Sequence, residues 1–338
     1  MLTASLALTG CGIDSEKGIL MAAGSYGDVA VVVTDDNLRP AAERFLTALN
    51  TPKTFVIKPE TIYQPDIFGP DRWDLAKGYK NAILLVRIGD GGGAEKAARK
   101  LVSKEAWERL AAGGGGVVKV NDPWSTYQFV ILVVSRDRNM LSSLLQKNAD
   151  KIRTLIDDSN RDRILRRNRY DGLNNALMDY YWDRYGLFLE IPAVFTQNQL
   201  EPDGYAGLEI MQNGPSRGIS IVWKKVDDPA AMLNDRQALL EMRRTMGEKL
   251  HNEELLPSTF VWEDAVIGGV ECLKLEGSWN SNVFAGGGPF WCYFIPDPGT
   301  GRMFCLDLLV YAPNMDKMNY FRRLEAIAST FATSRPQP

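Results

Sequence analysis

The chain has 338 residues, 45% hydrophobic and 24% charged, with a net charge of -3 at pH 7. That length predicts two domains, and the composition is that of a globular protein able to bury a core. The slight acidity excludes an electrostatic case for a nucleic-acid partner, and no run of ~18 apolar residues is present to cross a bilayer as a helix.

Residues 1–10 are a short apolar run that closes on Leu8-Thr9-Gly10-Cys11. A small residue just before cysteine at the end of an apolar segment resembles the bacterial lipobox. In that motif the cysteine thiol is lipidated and the segment before it is removed. Residues 1–10 are thus expected to be a lipoprotein signal peptide, Cys11 a lipidation site, and residues 11–23 the lipidated Cys and a polar tether. Two or more acyl chains make such an anchor stable, so a membrane is an expected partner. Secretory signals begin with basic residues, and none precedes this run, which we read as a start codon assigned too late.

Residues 24–175 alternate strand and helix. Val29 to Val33 is a β-branched run of the kind buried strands show. Thr34-Asp35-Asp36-Asn37 offers N-caps to a helix over Arg39 to Leu49. A second buried strand is predicted over Asn81 to Ile88, and a helix from Ala94 to Ala112, ended by four glycines. A strand over Tyr127 to Val134 and a long helix from Met140 to about Arg169 complete an N-terminal α/β domain.

Residues 180–338 have a different rhythm. Strands are predicted at Leu187–Ile191, Ala206–Met211, Gly218–Lys224, Thr259–Glu263, Val270–Gly277, Phe290–Pro296 and Arg302–Tyr311. Helices are predicted over Asn234 to His251 and Met315 to Phe331, the latter with Met318, Phe321, Leu324, Ile327 and Phe331 at helical spacing. Asp297-Pro298-Gly299-Thr300-Gly301 reads as a hairpin turn. Links of hairpin length imply a mostly antiparallel sheet with packed helices. The fold class is therefore α+β, with two α/β-layer domains, the second an α+β sandwich. Its order of elements is similar to the photosystem-P-subunit and Mog1-like (PsbP/Mog1-like) αβα sandwich, by analogy of pattern.

More specific motifs occur in the last third: Gly277-Ser278-Trp279, Gly287-Gly288-Pro289-Phe290, Leu309-Val310-Tyr311-Ala312-Pro313 and Arg322 to Ile327. With Asp122-Pro123-Trp124 and Gln128 they resemble domain-of-unknown-function family 4837, the envelope lipoproteins of Bacteroidota. The resemblance implies an envelope lipoprotein and supplies no activity or catalytic residues.

Candidate sites are few. Gly89-Asp90-Gly91-Gly92-Gly93-Ala94 fits G-x-G-x-x-A between a strand and a helix, where a dinucleotide pyrophosphate would sit. No acidic residue ends a strand ~20 positions on to hold a ribose, so we read a flexible connection. His251 is the chain's one histidine; a Ser-His-Asp triad would have to use it, and we expect it instead to cap carbonyls at a helix C-terminus. Asp35/Asp36, Asp157/Asp158 and Asp227/Asp228 are read as caps or turn residues rather than calcium ligands. Arg161, Arg163, Arg166, Arg167 and Arg169 suit either anionic headgroups or an ordinary salt-laced helix. Tyr180, Tyr181, Trp182 and Tyr185 are expected to seal a domain junction. Cys292 and Cys305 lie about equally far from the Gly299 turn, placed either to form a disulfide in an oxidising periplasm or to remain as buried thiols.

No catalytic residue, cofactor or metal site is expected. The sequence points to a lipid-anchored envelope protein, on the outer membrane, that binds a protein partner or a small ligand without turning it over. A hydrolase with a carboxylate pair needs a concave pocket holding two acids of raised pKa. A small-molecule carrier needs an apolar cavity lined by residues such as Trp223, Trp262 or Trp291.

Overall fold

The computed structural model describes residues 13–14, 19–50, 53–54, 59–198 and 207–334. Residues 1–10, expected as a signal segment, and Cys11 lie outside the described residues. The described residues fall into two compact units, taken from Met1–Pro52 and Thr61–Asn160, and from Lys53–Glu60 and Arg161–Pro338.

In the first unit, strands β1 (Asp28–Val33), β2 (Gln64–Phe68), β3 (Asn81–Arg87), β4 (Gly116–Asn121) and β5 (Phe129–Ser135) form one sheet in the order β2-β1-β3-β5-β4. All pairs are parallel except the β4–β5 edge. A parallel sheet is covered on both faces, so its central strands must be apolar throughout. Val29, Val31 and Val33 enter one core while Ala30 and Val32 enter the other. Strands β2 and β4 have mixed burial, and for that reason they leave no periodic signal in the sequence.

Helix α1 (Arg39–Leu49) falls where its spacing placed it. The stretch expected as one helix over Ala94 to Ala112 is two, α2 (Gly93–Lys100) and α3 (Lys104–Ala112), because Ser103 caps the second through the Ala106 amide. The long helix is likewise α4 (Arg138–Lys147) and α5 (Ala149–Asp171), divided at Asn148. The unit division falls inside α5. Tyr63 donates to Asp157 at 2.6 Å and Asn160 donates to the Tyr26 carbonyl, whereas Arg169 at the far end grips Glu190 through two bonds.

The second unit adds helix α6 (Asn175–Tyr185), ended by Gly186 in the left-handed region (φ 61°). The expected strand Leu187–Ile191 is not a strand. It makes only the isolated bridge Phe188↔Ala332. Strands β6 (Thr196–Asn198), β7 (Gly207–Gln212), β8 (Ser216–Lys225), β9 (Glu253–Leu255), β10 (Val261–Ile267), β11 (Val270–Ser281), β12 (Gly287–Asp297) and β13 (Arg302–Tyr311) form an antiparallel sheet among the described residues. Its order is β6-β7-β8-β13-β12-β11, and β9 and β10 pair in line along the outer side of β11.

Alternation divides this sheet into two faces. Val222, Leu275, Phe290, Phe294, Met303 and Cys305 share one core with Leu239, Met242 and Met246 of helix α7 (Arg236–Met246). On the other face, helix α8 (Met318–Ala328) stacks Phe321 on Trp291, with ring centroids 4.4 Å apart. The unit is a sheet between helices, an α+β sandwich.

Candidate functional site

The antiparallel register assembles a row across five strands, polar on four of them. Glu209 pairs with Ser220, Ser220 with Asp307, Asp307 with Cys292, and Cys292 with Leu275. All five therefore point to the face under α7, among leucines and phenylalanines. Helix α7 is N-capped by Asp235 and buries Leu239, Met242, Arg243 and Met246 on one stripe. An arginine in that stripe is aimed at the row.

Arg243 is 0% exposed. Its Nε donates to Asp307 Oδ1 at 2.8 Å and its Nη2 to Glu253 Oε2 at 3.0 Å. The guanidinium also lies 4.4 Å from the Phe290 ring centroid. Gly247 makes room for it, since a Cβ there would sit 2.6 Å from Nη1. Two atoms of the network, Arg243 Nη1 and Asp307 Oδ2, are buried without a hydrogen-bond partner.

After α7 the chain makes one π-turn, Gly247–His251, closed by Asn252 in the left-handed region (φ 52°). The wider turn swings His251 onto the sheet. This corrects the expectation that it caps carbonyls. Its Nε2 is 3.2 Å from Ser220 Oγ and 3.5 Å from Glu209 Oε1, and Ser220 Oγ donates to Glu209 Oε1 at 3.1 Å. With the serine proton directed at Glu209, the neutral imidazole donates from Nε2 to Oγ.

Electrostatics follow from burial. Desolvation pushes Asp307 up to about 7 against the pull of Arg243, and it raises Glu253 in the same way. Desolvation also opposes the Arg243 charge, but Asp307 and Glu253 outweigh it and the net shift is upward. His251 is pushed down to about 4, first by burial and then by the nearby Arg243 charge.

Serine, histidine and glutamate thus meet, but not as a catalytic triad. In a triad the acid holds Nδ1 and the nucleophile holds Nε2. Here Ser220 and Glu209 address the same nitrogen, and Ser220 is buried. The two carboxylates of raised pKa are both gripped by Arg243, which leaves neither poised to protonate a leaving group.

Cys292 of this row and Cys305, two residues before Asp307 on β13, are thiols without a disulfide between them, with Sγ atoms 3.2 Å apart. The register pairs Cys292 with Asp307 and Cys305 with Phe294, so the cysteines are diagonal rather than opposite. Burial, then the bond to Cys305, raises Cys292. Burial drives Cys272 up to about 12, and a thiol so protonated is a poor nucleophile.

Residues 175–330 match the family model described as "Domain of unknown function (DUF4837)". The chain carries a DUF4837 domain. Every residue of the polar row lies inside the match, whereas Asp122-Pro123-Trp124 and Gln128 precede it. Two glycines of the motifs that lie inside the match serve close packing. A Cβ on Gly277 would meet the Phe290 ring at 2.7 Å, and one on Gly288 would meet the Val310 carbonyl at 2.7 Å.

Solved structures align to part of the chain. Cyanobacterial PsbP from Synechocystis sp. PCC 6803 is 14% identical, over 44% of this chain and 86% of its own, with a TM-score of 0.32. LpqN of Mycobacterium tuberculosis, a protein involved in cell envelope biogenesis, is 20% identical, over 43% of this chain and 81% of its own, with a TM-score of 0.29. A protein from Bacteroides thetaiotaomicron is 11% identical over 45% of this chain, with a TM-score of 0.28, and this chain spans 46% of its length. No curated protein matches the sequence.

The other sequence candidates resolve individually. In the glycine loop, the Gly89 and Gly91 amides donate to the two carboxylate oxygens of Glu95, at 2.9 and 2.5 Å. The donors a phosphate would need are already occupied by an anion from the first turn of α2. Asp35 and Asp228 cap short helices as expected, but Asp157 and Asp158 lie within α5. Arg167 pairs with Asp171 at 2.7 Å and Arg169 with Glu190 at 2.7 Å, a salt-laced helix. Gln128 donates to the carbonyls of Ala76, Lys77 and Tyr79 and so pins a loop. Tyr180, Tyr181 and Tyr185 pack on one another, and Tyr185 meets Trp223, all within the second unit. Among the described residues there is no group of three or more His, Cys, Asp or Glu able to hold a metal, and no helix is long and apolar enough to cross a membrane.

Arg243, Asp307, Glu253, Glu209 and Ser220 were not singled out by sequence reasoning. The available signal was charge in apolar company: an arginine on the leucine-methionine stripe of α7, and an aspartate amid the apolar run of β13.

Proposed function

We propose that this chain is a lipid-anchored protein of a bacterial cell envelope, held on the outer membrane through Cys11, whose DUF4837 domain is a non-enzymatic binding module. The anchor rests on Leu8-Thr9-Gly10-Cys11. The binding reading rests on one observation, that the acids a hydrolase would use are already consumed by the fold. Asp307 is 0% exposed, and it shares a buried guanidinium with Glu253. Proton transfer to a substrate needs a carboxyl within reach of it, and this pair faces Arg243 instead. The tryptophans that a carrier would turn toward its ligand are spent on packing: Trp262 stacks on Phe294, Trp291 stacks on Phe321, and Trp223 packs at a tilt against Phe304.

The test is cross-linking in the native host, comparing the intact chain with the Cys11→Ala variant. A protein captured near one-to-one and lost with the anchor is expected. Capture of nothing by either form, together with turnover of an envelope substrate by purified protein, would reverse the assignment. Detergent phase partition of the same two chains checks the anchor. The intact protein should enter the detergent phase and Cys11→Ala should remain aqueous.

A further inference from the structure

The outer side of β11 carries an exposed sheet edge. Among the described residues, β10 (Val261–Ile267) has a strand neighbour on one side only. Antiparallel pairing leaves alternate N–H and C=O groups of such a strand pointing outward, a template for another strand. The strand is regular across seven paired residues and contains no proline. Val261 and Val266 are exposed on it.

Two clefts, each of about 510 Å³, lie at the ends of this edge. The first includes Arg244 of α7, which is paired with Glu241, together with Glu248 of the π-turn, Glu254 of β9 and Phe260, the residue before β10. The second includes Asn234 before α7, Asp264 and Val266 of β10, and Glu271 of β11. Both mix apolar residues with acids, and in the lining of the two clefts the acids outnumber the cation Arg244. Glu248, Glu254, Asp264 and Glu271 are exposed, and among the described residues none has a cation in ion-pair reach. In most proteins edge charges keep strange strands away. Acids of a single sign repel acidic strands and attract basic ones, so here they select rather than exclude.

We propose that an extended basic segment of a partner protein adds as a strand along Val261–Ile267, placing lysine or arginine side chains in the two clefts. From Phe260 to Val266 a strand advances roughly 20 Å. Basic side chains about six residues apart, an even spacing that keeps both on one face, therefore reach both clefts. Main-chain bonds to the edge give affinity and the clefts give the side-chain preference. This inference rests on the binding-module reading and names the surface and partner chemistry for it.

The probe is a fluorescent peptide of roughly nine residues, alternating valine and threonine, with lysines six positions apart. It is titrated into the full chain and followed by anisotropy, with amide exchange of the edge strand read in parallel. Slower exchange across Val261–Ile267 is expected on binding. Binding at least about tenfold weaker is expected for the same peptide N-methylated at alternate residues, for one with glutamates replacing the lysines, and for the D264K/E271K protein. Equal binding of the N-methylated peptide, or edge amides that exchange unchanged, would overturn the proposal. The host cross-linking separates the two claims. A partner captured equally well by D264K/E271K, with an unchanged melting curve, removes the edge and keeps the module. No partner for the unmodified chain removes both.

Discussion

The two faces of the second sheet each bury a cation, and they treat it differently. Under α7, the planar fork of Arg243 meets Asp307 and Glu253, both on strands, and no atom of the guanidinium reaches solvent. Under α8, Lys274 sits 2.7 Å from Glu276 and 3.9 Å from Glu325, over the Trp291 ring at 3.7 Å. Glu325 also accepts from Tyr293 at 2.6 Å, and its side chain is 39% exposed. Burial opposes the Lys274 charge, but Glu325 and Glu276 outweigh it and the shift is upward. The lysine face keeps a route to water for its counter-charge; the arginine face has none. A sealed ion pair is costly to break because the partner left behind cannot be hydrated.

Removing each cation is the most direct test of that difference. Arg243→Met should lower unfolding free energy by about 3–5 kcal/mol in urea titrations, since two buried acids lose their counter-charge. Adding Asp307→Leu to that variant should recover part of the loss, and a further drop instead would mean that packing, not charge, was disrupted.

The pH response sharpens the comparison, because the titrating groups crowd the arginine face. His251 is held near 4 in the fold against 6.5 when unfolded, so the unfolded chain binds the proton more readily. Stability from this group is present above pH 6.5 and is lost as pH falls toward 4, by at most about 3 kcal/mol. Asp307, raised to about 7, acts in the opposite sense, and its effect erodes stability as pH rises from about 4 to 7. Removing the histidine with His251→Leu should leave the aspartate's slope alone. The stability difference between the natural chain and that variant should shrink or reverse between pH 6.5 and 4, measured by denaturant midpoints. A constant difference would mean that His251 does not titrate as a buried neutral group.

The smallest effect belongs to the lysine face. Lys274→Met should cost about 1–2 kcal/mol, combining a cation–π contact with ion pairs to Glu276, which is buried, and to Glu325, which can rehydrate. A loss as large as that of Arg243→Met would erase the distinction between the two faces.

How much of this was legible in the sequence depended on how one-sided each segment is. Strands β1, β3 and β5 are buried on both sides, and α1 and α8 carry clean apolar stripes, so each was found. Strands β2 and β4 have only exposed and half-buried positions and were missed. The breaks at Ser103 and Asn148 were hidden because apolar residues continue on both sides of them. At the site, His251 was visible as the one histidine, but its role was misjudged, because a regular α-helix would end there and the π-turn redirects it. Cys292 and Cys305 were legible as neighbours, while their diagonal register depends on the four-residue connection between Asp297 and Arg302.

The sequence by itself determined the class of fold, the two layered halves, the lipobox-like segment at Cys11 and the likeness to DUF4837, because each is written in local composition, period or motif. Tertiary structure alone decided that Glu209, Ser220, Arg243, His251, Glu253 and Asp307 meet. They come from separate elements, and only strand register and the hand of one helical turn place them within hydrogen-bond range. It also decided that the glycine loop serves its own glutamate and that an acidic edge is left open, since both depend on which groups the folded chain brings close and which it leaves facing water.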